Sequence, residues 1–146
     1  MSGALSAMNF ADDLGEVRGC EDAVRWSVET GSLPLEVLVK MTPVSHPEEA
    51  FQARLLWAEY PDKAPSLKFR NLATGALDCA TAWPTGGPFR PTSLCACASY
   101  CSEGFQLHPE WVNDPITRWD PRGNVLLKVL RMVQDDLDTS FTGRHR

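Results

Sequence analysis

Apolar side chains along this chain change rhythm twice, and the changes mark its elements. Leu5, Met8, Phe10, Leu14 and Val17 fall at mostly three- and four-residue steps within residues 4–18, which predicts an amphipathic helix. Gly19 is placed to end it, because glycine accepts the left-handed conformation that closes many helices. From Trp26 the rhythm shortens. Residues 25–29 alternate polar and apolar, residues 35–41 nearly do, and residues 51–57 follow a connection carrying Pro43, His46 and Pro47. These read as successive strands. Their short connections predict antiparallel neighbours, since a parallel pair needs a crossover of about a dozen residues or more. His46, between prolines, reads as a solvated turn residue. The helical rhythm returns at Leu126, Leu130, Val133 and Leu137, leaving Lys128, Arg131 and residues 134–136 for water. Each of those four apolar side chains is worth about 1.5–3 kcal/mol when buried, so this helix should wall the core.

Between the strands and the last helix lies a segment, residues 84–119, that follows neither rhythm. It is rich in Pro, Gly and Ser and reads as a long irregular loop, a feature that in compact domains usually carries function. A chain of 146 residues at 43% hydrophobic composition has material for one core, so one α+β domain is expected over residues 1–138, with 139–146 as a flexible tail. A net charge of −5 without a Lys/Arg cluster gives no electrostatic footprint for nucleic acid or an anionic membrane. No apolar run approaches the roughly 18 residues of a spanning helix, and the N-terminal segment has acids where a secretion signal has bases. The expectation is a cytoplasmic protein with neither nucleic acid nor membrane as partner.

The loop holds Cys95, Cys97 and Cys101, three of the five cysteines. An odd number, clustered, argues for reduced thiols and against a disulfide framework. Such thiols have three roles open to them: buried small apolar residues, metal ligands or a nucleophile. Cys20, isolated, reads as a residue without chemistry. With His108 the loop thiols supply four donors of the kind zinc takes. Their spacing lacks the paired C-x2-C signature, so no metal is expected and a zinc-stabilised interaction protein is kept only as an alternative.

One stretch has a familiar order. Tyr60, Pro61, Pro65 and Phe69 resemble, in order and spacing, the ubiquitin-conjugating enzymes where a strand runs into a Tyr-Pro turn, a second proline follows and a short strand ends on an aromatic residue. Trp119-Asp120-Pro121 ahead of the last helix resembles that family's tryptophan-proline turn, and Ser93-Leu94-Cys95-Ala96 stands where it has its catalytic cysteine. The resemblance implies a UBC-like fold: an N-terminal helix, a four-stranded antiparallel meander, a long active-site loop and a C-terminal helix. It also implies an activity. An activating enzyme would hand a ubiquitin-like modifier to Cys95 as a thioester, with Cys97 and Cys101 as alternatives, and the modifier would pass to an amine of a target protein. Sulfur suits this relay as both nucleophile and leaving group. No cofactor is implied, because the thioester already holds the energy.

The chain also departs from the family. Trp83-Pro84-Thr85 stands near the place of the family's His-Pro-Asn triplet. Oxyanion or loop support is therefore expected from His108, Asn113 or the Gly86-Gly87 backbone. The longer spacings on either side of Cys95 look more like the divergent bacterial branch, which implies an operon with a modifier and an activating enzyme, linked to antiphage defence. A catalytically inactive binding module of the same fold is the alternative.

Overall fold

A computed structural model describes residues 3–146. Helix α1 spans Gly3–Gly19 and buries Ser6, Phe10, Leu14 and Val17. This face differs from the one expected: Leu5 and Met8 stand outward at 43% and 57% exposure. Ser6 takes the buried position because its hydroxyl donates to the Tyr60 carbonyl at 2.8 Å, which satisfies the one polar atom it takes inside.

Four strands follow: β1 (Ser27–Thr30), β2 (Glu36–Met41), β3 (Phe51–Leu56) and β4 (Ser66–Arg70). They form one antiparallel sheet in the order β1-β2-β3-β4, with Val39 opposite Ala53 and Ala53 opposite Phe69. Side chains alternate across a strand, so Val37, Val39, Met41, Phe51, Ala53, Leu55, Leu67 and Phe69 all enter the core. The other face is polar. There Arg54 donates to Glu36 at 2.7 Å and Arg70 to Gln52 at 2.8 Å. Tyr60 and Trp57, in the connection from β3 to β4, pack edge-on against Phe10, and the Tyr60–Pro61 peptide is cis.

Helix α3, Val125–Thr139, closes the core and contacts α1. Asn124 caps it, its side chain accepting from the Leu127 amide at 3.0 Å, a device worth about 1 kcal/mol. Its buried face is wider than the apolar spacing predicts, because Gln134 is 5% exposed. The Gln134 amide accepts from the Trp26 indole and donates to the Thr42 carbonyl, both at 3.0 Å. A polar residue assigned to water is thus a buried tie between α3 and the sheet.

The long loop is ordered in short pieces. They are β5 (Pro84–Thr85), β6 (Phe89–Arg90), β7 (Cys95–Ala96) and α2 (Ser102–Leu107), with 3-10 turns between. The chain beyond α3, for which a flexible tail over 139–146 was expected, forms a strap against β5. Strand β8, Gly143–Arg144, pairs antiparallel with β5, Phe141 packs edge-on to Phe51, and Arg144 sits 4.1 Å over the Phe51 ring. Arg144 also donates to Glu49 at 3.0 Å and to the Ala50 carbonyl at 2.7 Å. Polar composition hid a segment held by backbone pairing. Among the described residues, no helix is long and apolar enough to cross a membrane.

Candidate functional site

The segment leading to Cys95 is anchored first by Trp83, fully buried and 4.9 Å from the Phe69 ring. Thr85 is tied to the C-terminal segment. Its hydroxyl donates to the Gly143 carbonyl at 2.9 Å and lies 2.8 Å from the Thr142 hydroxyl. At Gly86, with φ +99°, a Cβ would fall 2.0 Å from the Ser140 carbonyl oxygen. Glycine is required by that approach, and the C-terminal segment fills the Gly86-Gly87 turn that was a candidate oxyanion donor.

After the turn, β6 pairs antiparallel with β7, setting Arg90 opposite Cys95. A 3-10 turn, Pro91–Ser93, joins them and ends at Leu94, whose φ of +54° is left-handed. That conformation costs a non-glycine residue about 1–3 kcal/mol and persists only where its surroundings enforce it. Here the Lys68 ammonium donates to the Leu94 carbonyl at 2.6 Å, and Leu94 packs on the core.

The thiols differ sharply. Cys95 does not face outward as expected; it is 8% exposed, and burial holds its thiol above the ordinary value. Cys101 is fully buried, its Sγ donating to the carbonyls of Ala96 at 3.4 Å and Ala98 at 3.6 Å, and burial pushes it up to about 12. Cys97 is half-buried and lines an open groove of about 680 Å³ with Tyr100, Trp111, Arg131, Asp135 and Asp136. On its floor Tyr100 donates to Asp136 at 2.8 Å, and burial raises that carboxyl.

Two other candidate residues make contacts or stand apart from the groove. His108 shares a hydrogen bond with Glu110 at 2.9 Å and stacks on Trp111 at 4.3 Å, so it orders its own loop. Asn113 is exposed at the end of the 3-10 turn Pro109–Asn113, and neither residue lines the groove beside Cys97. The loop cysteines and His108 do not gather as zinc ligands. Among the described residues, no group of three or more His, Cys, Asp and Glu side chains is placed to hold a metal ion.

Sequence reasoning kept Cys79 only as a last alternative nucleophile. It is half-buried, its Sγ lies 3.1 Å from the Thr81 hydroxyl and accepts from the Asn71 amide at 3.4 Å. Those contacts, the Thr81 hydroxyl foremost, lower its thiol. The signal available was a cysteine preceding a short turn with threonine two positions on. Glu103 was missed: from α2 it accepts from the Ser66 hydroxyl at 2.6 Å and the Leu67 amide at 3.0 Å. Apart from these, an apolar cleft of about 660 Å³ opens between the β3–β4 connection and α2, with Trp57, Phe105, Val112 and Trp119 in its wall. Comparison with known proteins finds no matching family model, no matching curated protein and no matching solved structure.

Proposed function

We propose that this protein is a ubiquitin-conjugating-like carrier with a UBC-like fold, in which Cys95 takes a ubiquitin-like modifier as a thioester and passes it to an amine of a target protein. The observation that carries the reading is the setting of Cys95. It follows a left-handed residue tied by its carbonyl to the sheet, on a hairpin beside β4, after an N-terminal helix and a four-stranded meander and before a C-terminal helix. Backbone strain of this kind is characteristic of positions held for chemistry.

The Cys95 thiol gives its proton to solvent as its sulfur attacks the carbonyl carbon of the modifier's C-terminus on the activating enzyme; a new C–S bond forms, the C–S bond to the activating enzyme breaks, and that enzyme's thiolate leaves and takes up a proton from solvent. In the second step an amine attacks the same carbon, and Cys95 leaves as the thiolate while the amine's proton goes to solvent or a base. Cys97, two residues on and beside the open groove, is the alternative acceptor. Incubation with ATP, an activating enzyme and its modifier should give an adduct on a non-reducing gel that thiol reductant removes and Cys95→Ala abolishes. An adduct lost in Cys97→Ala but kept in Cys95→Ala moves the site; no adduct with any bacterial modifier and activating pair overturns the reading.

A second reading, a holder of modifiers without covalent transfer, is favoured by the burial of Cys95 and its raised thiol. It predicts modifier binding that survives blocking every accessible thiol.

A further inference from the structure

We infer that Lys68 is a positioning residue for the Cys95 thiol: from β4 its ammonium fixes the backbone just before the sulfur and keeps a positive charge beside it, with Glu103 as the opposing charge. The inference rests on the reading of Cys95 as the acceptor and adds what sets its readiness to react.

The geometry begins on the polar face of the sheet, where Lys68 stands opposite Arg54. Its side chain does not run free into water. The ammonium reaches past the sheet edge to the Leu94 carbonyl at 2.6 Å and lies 3.9 Å from Glu103 Oε2. The Lys68 side chain is 28% exposed and that of Glu103 13%, so this pair is screened less than a surface pair. A bond from an ionised donor is roughly twice as strong as a neutral one, enough to offset much of the left-handed cost at Leu94. Without it, the turn that aims Cys95 has lost its clamp.

The charged and titratable groups about the sulfur come from every neighbouring element. Lys68 on β4 and Arg90 on β6 favour the thiolate; Glu103 on α2 and the thiol of Cys97 oppose it, and Cys101 lies close enough to feel Cys95. Glu103 is pinned by the Ser66 hydroxyl and the Leu67 amide. Lys68 is pinned by Leu94. The two opposed charges therefore keep fixed places beside Cys95, and changing either should move its reactivity in a predictable direction.

The test is the pH profile of Cys95 alkylation by iodoacetamide in folded Cys97→Ser protein, located by fragmentation mass spectrometry. Lys68→Met should move the midpoint upward, slowing alkylation near neutral pH by about threefold or more, and Lys68→Arg should restore most of the rate. Glu103→Gln, which keeps an acceptor for the Leu67 amide, should move the midpoint downward. An unmoved midpoint in Lys68→Met, a Lys68→Arg as defective as Lys68→Met, or an upward shift in Glu103→Gln would overturn the inference. If Lys68→Met fails to fold by circular dichroism, Glu103→Gln decides by its direction alone. Neither modifier nor activating enzyme takes part, so failure to form an adduct and failure of this inference are separate results.

Discussion

The sheet with its two long helices and the loop segment from residue 84 to 119 are both ordered, but by different physics. In the first, order comes from many interchangeable apolar contacts: Val39, Ala53, Phe69, Leu130 and their neighbours are each fully buried. Losing one leaves the pattern standing. In the second, a few buried anchors such as Phe89 and the flanking Trp83 are supplemented by polar ties made once: Lys68 to the Leu94 carbonyl, Glu103 to the Leu67 amide, the Ser102 amide to the Pro65 carbonyl at 2.7 Å, and Trp119 to the Pro61 carbonyl at 2.9 Å. The scaffold is therefore robust in geometry and costly to cavitate, whereas the loop can be re-aimed by one substitution.

The largest effect should come from the scaffold. Leu130→Ala, at a fully buried position of α3, should cost about 2–5 kcal/mol in chemical denaturation, with a native-like spectrum for whatever remains folded. A cost comparable to a surface substitution would mean the core is less tightly packed than its burial implies.

Next is the strap. Gly86→Ala meets both an unfavourable φ of +99° and the Ser140 carbonyl, and should cost about 1–3 kcal/mol. Hydrogen exchange should quicken at the amides of Thr142 and His145, which bond the carbonyls of Thr85 and Trp83, while the amides of β2 and β3 keep their protection. Equal loss in the sheet would erase the distinction between the two regions.

A smaller, pH-dependent effect lies wholly within the scaffold. Asp138 accepts from Arg25, the Val44 amide and Gln134, and its carboxyl is held below its ordinary value of 3.8, chiefly by Arg25. A depressed carboxyl contributes stability that is complete above its unfolded value and is lost as pH falls through the folded one. Asp138→Asn should therefore lower stability at pH 7 and flatten the fall below about pH 4; an unchanged acid limb in urea titrations would contradict this. Smallest of all, Ile116→Ser, at 92% exposure in the loop, should stay within about 0.5 kcal/mol.

The same contrast explains what could be read from sequence. Period-two alternation located β1 to β3, and the Leu126-to-Leu137 spacing located α3, because burial repeats with the backbone. Ser6 and Gln134 escaped that reading: each is polar, and each is buried against a partner distant in sequence, the Tyr60 carbonyl and the Trp26 indole. The strap escaped for a related reason, since β8 is held by pairing with β5 and by Arg144, which no apolar rhythm announces. In the loop, residue type marked out the cysteines but not their exposure. Whether a thiol ends up like Cys101, against two carbonyls, or like Cys97, beside a groove, depends on how a hairpin without periodicity is tied down.

The central claim is that position 95 carries an acyl group, and a serine there tests it most directly. In Cys95→Ser an oxygen would hold the modifier as an ester that thiols do not exchange. After incubation with ATP, activating enzyme and modifier, the intact mass should equal the sum of the two proteins less one water, with the modifier's C-terminus mapped to residue 95. An unchanged mass, or an attachment mapped elsewhere in the chain, would contradict it.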